Sequence, residues 1–405
     1  MSDEVRATGL DPARDHSRVS HLPQAGEGEG AGPRSGYEGG RGSARYPSHE
    51  GKAQDEPAPS APVRREFRAD SSALGTDLYG PTYAALDLGT NNCRLLVARA
   101  THDGFRVIDA FSRIIRLGEG ITASGRLGEP AIGRAIEVLG ICRDKMRNRG
   151  VTRSRLIATE ACRLAENGGD FLNRVREDVG IELEVVDRET EALLAATGCT
   201  PLVDPDAEGA ILFDIGGGSS EIARLATPKA CRRGPPEPAI QGWTSLPLGV
   251  VTLAERHGGI TVTREIFEAM VAEAASHIAP FARDHTPHAP TMHLLGTSGT
   301  VTTIAGVHLG LRRYDRRRVD GCWLKDDEVT AVMERLLAMS YDERVCNACI
   351  GAERADLVLA GCAILEAIRR AFPSGRLRVA DRGLREGMLV QMMRADGVWR
   401  EAGVS

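Results

Sequence analysis

The sequence predicts an α/β protein built from two similar halves that meet at a cleft. Three observations lead there. A strand ending in a carboxylate and a glycine turn occurs at Asp87, the same pattern returns at Asp214, and each hairpin is followed by helices alternating with strands. The second hairpin, Ile211–Ile222, reads Ile-Leu-Phe-Asp-Ile-Gly-Gly-Gly-Ser-Ser-Glu-Ile. Gly216, Gly217 and Gly218 permit a tight turn and leave N–H groups uncovered, so with Ser219 they can wrap a phosphate. Asp214 and Glu221 flank the turn and offer oxygen ligands of the kind Mg²⁺ prefers beside phosphates. One such loop is equally well a plain hairpin. The repeat at Tyr83–Ala98, with Asp87-Leu88-Gly89-Thr90-Asn91-Asn92 between two apolar runs, shifts the balance. A third loop, Gly296-Thr297-Ser298-Gly299-Thr300, follows the run Met292–Leu295 and opens a helical segment whose positive end suits an anion.

Taken in order, residues 1–80 are rich in Gly, Pro, Ser and mixed charge, and read as a disordered tail unable to offset its ordering entropy. The first half, 81–199, continues from the Asp87 hairpin to a third strand at Phe105–Phe111. A helix follows over Pro130–Arg149, with Ile132, Ile136 and Leu139 on one face and Gly150 as its stop. Then come a strand at Leu156–Ala158, a helix at Asp170–Val179, a strand at Ile181–Val186, and a helix at Glu189–Thr197 ending at Gly198. The second half, 200–400, opens with the Ala210–Ile215 and Glu221–Leu225 hairpin. A Pro-rich surface insertion at Pro228–Pro238 and a strand near Trp243–Leu246 come next. Helices are expected at Arg264–Arg283, Val301–Leu309, Asp326–Met339 and Glu353–Phe372, a last strand at Leu377–Ala380, and a closing helix at Arg385–Arg394.

Composition narrows the function. Of 405 residues, 42% are hydrophobic and 26% charged, as in a globular chain, and the net charge of −5 offers no global attraction to nucleic acid or anionic membrane. A polyanionic substrate therefore needs a locally basic cleft. No apolar run reaches the length of a membrane span and the N-terminus lacks a secretory core. Nine scattered cysteines suit a reduced, cytoplasmic setting, and the lone pair Cys346-Asn347-Ala348-Cys349 lacks the second pair of a zinc site. Cys93, beside the first loop, would make that loop sensitive to thiol reagents if its sulfur were activated. No Walker lysine, HExxH or Gly-x-Ser-x-Gly pattern occurs, so P-loop, zinc-protease and serine-hydrolase readings have no anchor.

The chain resembles the exopolyphosphatase/guanosine pentaphosphate phosphohydrolase (Ppx/GppA) family of the actin-like phosphotransferase superfamily. The resemblance spans residues 82–395 and is carried by Asp87–Arg94, Arg116-Leu117-Gly118-Glu119-Gly120, Ala158–Arg163, Glu191-Ala192, Asp214–Glu221, Leu246–Gly249, Gly296–Val301, Glu353–Asp356 and Leu384–Gly387. It implies two ribonuclease H-like domains flanking a cleft, in a short form without the family's additional C-terminal helical module. It also implies phosphate-binding loops at Gly89–Asn91, Gly216–Ser219 and Gly296–Gly299. Asp87, Asp214 and Glu221 would surround the phosphate and Mg²⁺, and Arg94 and Arg163 would act as guanidinium clamps. Glu191, the glutamate before Ala192, would orient the attacking water, where the family commonly reads Glu-Glu-Ala and this chain has Thr190-Glu191-Ala192. Arg382 and Arg385 extend a basic track for further phosphates, whereas Arg312, Arg313 and Arg316–Arg318 read better as a solvated face.

The implied reaction is release of terminal orthophosphate from linear polyphosphate, with guanosine pentaphosphate as the alternative substrate and a homodimer as a possible assembly. An actin-fold sugar kinase, a nucleotide switch or a non-catalytic polyphosphate binder belong to other classes; ATP turnover with and without acceptors separates them. From the composition of the tail, a truncated protein beginning near Pro81 is expected to keep its phosphohydrolase activity. Loss of activity in a folded truncation would place the tail in the site.

Overall fold

The computed structural model describes residues 80–229, 231, 233–286 and 291–400. The tail expected over 1–80 lies outside the described residues but for Gly80, and the Pro-rich insertion is described only in part. Two sheets carry the architecture, and they share one strand order. In the first, β1 (Thr82–Leu88), β2 (Asn92–Ala100), β3 (Phe105–Ile114), β4 (Arg153–Ala158) and β5 (Glu184–Val185) lie in the order β3-β2-β1-β4-β5. In the second, β6 (Gly209–Ile215), β7 (Ser220–Ala226), β8 (Ala239–Leu246), β9 (Met292–Thr297), β10 (Trp323–Lys325) and β11 (Arg376–Ala380) lie in the order β8-β7-β6-β9-β11-β10. Each half is a three-strand antiparallel meander whose first strand then pairs in parallel with the next strand along. This is the two-lobed actin-like architecture implied above.

The central strands read as continuous apolar runs because both their faces are covered. Tyr83, Ala84, Ala85 and Leu86 of β1 are fully buried, as is Phe213 of β6. Asp87 and Asp214 stand one residue from the C-terminal ends of β1 and β6, beside the parallel strands β4 and β9. Ligands of α/β sheets gather outside such strand ends.

Helix boundaries follow local chemistry. Pro130 sits in the first turn of Glu129–Asn148, where its missing N–H costs nothing. The Asp187 side chain accepts from Thr190 N at 2.7 Å and caps Arg188–Cys199. The expected stop of that helix at Gly198 is not where it ends. Gly198 lies inside the helix because the closing helix, Leu384–Ala395, crosses it there: a Cβ on Gly198 would stand 2.1 Å from Gly383 O, and one on Gly387 2.0 Å from Leu194 O. The two crossing helices each cover the other half's sheet. Met388, Leu389 and Met393 pack on Tyr83, Ala85 and Leu96, while Ala195, Ala196 and Cys199 pack on Leu212, Ala223 and Leu225.

Two further expectations need correction. The strand expected over 181–186 shrinks to Glu184–Val185, because Ile181 and Leu183 turn into the first core rather than pairing with β4. The helix expected from Glu353 begins only at Val358. Residues 352–357 form successive turns, and Asp356 is held from the first half by Arg116 through bonds of 2.8 and 2.9 Å. Helices at Val250–His257 and Tyr341–Cys346 and strand β10 had no sequence expectation.

The glycine crossing gives a pair of opposite expectations. Gly198→Ala should destabilise the protein by about 1–3 kcal/mol or more, the usual cost of overpacking. Gly140→Ala, in open space on a helix, should stabilise it by about 0.5–1 kcal/mol. Denaturant unfolding of both variants checks the sign of each.

Candidate active site

The two hairpin turns are built alike. Gly89 N bonds Asn92 O at 2.8 Å, and Gly216 N bonds Ser219 O at 3.0 Å. In the second turn the carbonyls of Gly216 and Gly217 are drawn away by Val250 N and Val251 N, each at 2.9 Å, at the start of the Val250–His257 helix. The N–H groups of Thr90, Asn91, Gly217, Gly218 and Ser219 consequently have no partner among the described residues. Those of Gly299 and Thr300, at the start of the Gly299–His308 helix, are likewise open, while Ser298 Oγ accepts from Val301 N at 3.2 Å. Ser298 has φ 151°, ψ 172°, a region that costs a non-glycine residue about 1–3 kcal/mol and is found where a site is held in one shape.

All these groups line one cleft together with Asp87, Gly89, Arg94, Glu191, Asp214 and Glu221. Its electrostatics are unbalanced in a telling way. Across the first hairpin Asp87 faces Arg94, an opposite-charge pair; across the second Asp214 faces Glu221, two acids. Like charges directly opposite are unfavourable, and here Glu221 is buried and Asp214 half-buried. Burial, then Asp87 and Glu191, push Asp214 up to about 7 against the pull of Arg94. Burial, then Asp214, push Glu221 up to about 7 despite bonds from Ser245 and Ser219. Burial also raises Asp87, with Arg94 opposing. Burial, followed by Glu221, raises Glu191 to about 8, although Arg163 pulls the other way.

Three guanidiniums answer these acids across the cleft. Arg94, Arg354 and Arg385 line it or its continuation, and no hydrogen bond or ion pair ties any of them to a carboxylate among the described residues. Burial, and for Arg354 next the charge of Arg94, lowers the pKa of Arg354; burial and Arg94 lower that of Arg385 as well. Arginine keeps its charge under such pressure. Three half-buried guanidiniums that no hydrogen bond or ion pair ties to a carboxylate are free to receive phosphate oxygens. Sequence reasoning missed Arg354, which reaches the cleft because residues 352–357 are turns rather than helix.

Comparison with known proteins agrees with this geometry. Residues 96–396 match the model of the Ppx/GppA phosphatase family. The chain belongs to that family. A guanosine-5'-triphosphate,3'-diphosphate pyrophosphatase from Photobacterium profundum is 26% identical over 325 residues, which are 77% of this chain and 59% of that protein's length. The Aquifex aeolicus member of the Ppx/GppA family superposes with a TM-score of 0.65 at 27% identity, covering 80% of this chain and 99% of that one. An exopolyphosphatase-like protein of known structure gives 0.69 at 29% identity, covering 78% and 98%.

Within the family frame, two expected site residues are placed elsewhere. Gly296 belongs to β9, away from the cleft. It is glycine because a Cβ there would lie 2.5 Å from the ring of Phe213. Arg163, expected to clamp phosphate, is already engaged: Nη1 bonds Glu191 Oε1 at 2.6 Å and also Val186 O, and Nε bonds Glu160 Oε2 at 3.1 Å. It does not line the cleft. Among the described residues no three acids, histidines or cysteines come close enough to hold an ion together, and Glu221 is drawn aside by Ser245 Oγ at 2.9 Å.

The basic track also resolves into parts. Arg382 is spent on Asp320, with Nε 3.1 Å from each carboxylate oxygen, and Arg316 on Glu386 at 2.7 Å. Arg312, Arg313, Arg317 and Arg318 are exposed. Cys93 is buried with its thiol beside Cys142, and that contact and burial raise its pKa, the opposite of activation. Cys346 is exposed while Cys349 is buried against Leu311 O.

Glu191 is buried at the cleft wall and Glu189 points to solvent, two residues apart in one helix turn. Glu191→Gln should therefore lower kcat by about 10²–10⁴-fold, the usual worth of general-base assistance. Glu189→Gln should cost far less. Steady-state phosphate release by the two variants, with folding checked by circular dichroism, reads the difference.

Proposed function

We propose that this protein hydrolyses the terminal phosphoric anhydride of a polyanionic substrate, releasing orthophosphate. Linear polyphosphate is the first candidate substrate and guanosine pentaphosphate the alternative. The observation that carries the reading is the convergence of Arg94, Arg354 and Arg385, none tied to a carboxylate by a hydrogen bond or ion pair among the described residues, with two loops of open N–H groups beside the buried Glu191 carboxylate. The terminal phosphoryl group sits against the loops, and the arginines hold its oxygens through turnover. Glu191, fixed at Oε1 by Arg163, accepts a proton of the attacking water through its other oxygen and keeps that water in line. The new P–O bond forms as the bridging bond breaks, and the bridging oxygen, leaving with the shortened chain, takes the bond's electron pair. Because such transition states are loose, charge stabilisation and alignment do most of the work.

A divalent cation would neutralise phosphate oxygens in this site. Asp87 and Asp214 are the side chains that would hold it, with Glu221 behind them. The donor set fits Mg²⁺, which takes one or two carboxylates plus phosphate and water rather than a full protein cage. The buried Asp214–Glu221 opposition gives an independent reason for a positive charge there.

Polyphosphate gains support from the continuation of the cleft past Arg94 to Arg354 and Arg385, which leaves room for further phosphates. Guanosine pentaphosphate gains support from the activity named for the Photobacterium relative. Phosphate release from both substrates at matched concentrations, with Mg²⁺ and with excess chelator, tests the proposal. Release is expected with Mg²⁺ and not with chelator, and Asp214→Asn should raise the Mg²⁺ requirement or abolish turnover. Full activity in chelator overturns the cation, and release from neither substrate overturns the reaction.

A further inference from the structure

Glu160 has no part in the reaction outlined above, yet it is one of the most buried charged residues at the cleft, 2% exposed. Both its oxygens are taken by guanidiniums. Oε1 accepts from Arg188 Nη2 at 2.7 Å, and Oε2 accepts from Arg163 Nε at 3.1 Å and also from Arg163 Nη2. Arg163 then donates Nη1 to Glu191 Oε1. The series Arg188, Glu160, Arg163, Glu191 alternates in sign and sums to zero, so two acids can be buried side by side without repelling each other uncompensated. Burial pushes the Glu160 carboxyl up, but Arg188 and Arg163 together hold it below the usual carboxylate range.

The Nε/Nη2 edge of a guanidinium is the fork that grips an oxyanion with two parallel bonds. In Arg163 that fork is filled by Glu160. A phosphate cannot use it while Glu160 stays, and the nitrogen left over points at Glu191. We propose that Glu160 is a positioning residue for the hydrolysis: it holds Arg163 away from substrate and turns it onto Glu191, fixing one carboxylate oxygen and leaving the other for water. This rests on the role given to Glu191 above.

The position implies a split between kinetic constants that mere structural support would not produce. With Glu160→Gln, Glu191 loses its fixed anchor while Arg163 becomes free to meet phosphate. The variant should lose kcat by about 10–100-fold, the scale expected for a misplaced reacting group, while KM stays level or falls. Glu160 Cγ also abuts the second loop, since a Cβ on Gly218 would lie 3.2 Å away. A purely structural role would act through that loop and raise KM.

The test is steady-state phosphate release from guanosine pentaphosphate and from tripolyphosphate by the wild-type protein and by Glu160→Gln, Glu191→Gln and the double variant. If Glu160 acts through Glu191, adding Glu160→Gln to Glu191→Gln costs nothing more. Additive losses, a raised KM with kcat intact, or no effect of Glu160→Gln would each overturn the proposal. A fully active Glu191→Gln would instead show that the reading of Glu191 has failed. Arg188→Gln covers the case in which Glu160→Gln does not fold. It loosens Glu160 from the far side and should lower kcat in the same direction by less, with KM unchanged; unchanged kcat in that variant counts against the proposal.

Discussion

The site exists because two turns from different sheets touch. Thr90 in the first turn lies against three glycines: a Cβ on Gly118 would come within 2.4 Å of Thr90 Cγ2, one on Gly217 within 2.9 Å of Thr90 Cβ, and one on Gly218 within 3.0 Å of Thr90 Oγ1. Gly249 backs the same place from behind, where a Cβ would meet Gly217 O at 2.3 Å. At Gly217 and Gly249 these approaches are closer than real Cβ atoms allow, so a side chain at either would push the second turn away from its neighbours. The open N–H groups, the strand-end acids and the arginines then would not face one space. Glycine here supplies proximity first and turn geometry second.

Proximity has an electrostatic cost, and the cleft distributes it unevenly. Asp87 has Arg94 across the ladder, and Glu160 and Glu191 share Arg163, but Asp214 faces only Glu221. Arg94, Arg354 and Arg385 likewise stand near these acids without a hydrogen bond or ion pair to any of them among the described residues. A site that satisfied itself internally would have little left to offer a phosphate. The unpaired charges of both signs are thus what the substrate and a cation would complete, and the strain recorded at Ser298 has the same character.

How much of this was legible in the sequence follows from the range of the interactions. The duplicated hairpins could be read because a strand, a carboxylate and a glycine turn are local patterns, and their repetition reveals the shared strand order of the two sheets. Helix geometry implies that only one of Glu189 and Glu191 faces the cleft, and the resemblance to the family's Glu-Glu-Ala is what singles out Glu191. Gly296 could not be assigned, because a glycine under Phe213 and a glycine in a phosphate loop look alike in one dimension. Arg163 has the family's clamp setting in Ala158–Arg163, but its competitor, Glu160, engages it through the short helix Glu160–Leu164, which carries no periodic signal. Arg354 was missed for the reverse reason. Its placement depends on Asp356 meeting Arg116, 240 residues earlier in the chain.

That last contact belongs to a wider mechanical linkage. Arg116 adopts φ 47°, unusual for a side chain of its size, and from there binds both oxygens of Asp356 and Glu353 O. Two residues before Asp356 stands Arg354, whose guanidinium packs 3.3 Å from the position a Cβ on Gly299 would take. On the opposite side, Gly383 lies beside Thr297 and Asp214 and opens the helix that crosses Gly198 to reach the first sheet. The Arg188–Cys199 helix it crosses carries Glu191 in its first turn. Glu191, proposed to orient the water, and Arg354, proposed to bind phosphate, are therefore each placed by a contact between the halves. Separation of the halves would withdraw both at once, so the cleft is complete only when they are together. Binding of a polyanion that bridges the loops and the arginines would favour that same arrangement, since a ligand shifts a conformational equilibrium toward the state in which it makes more contacts.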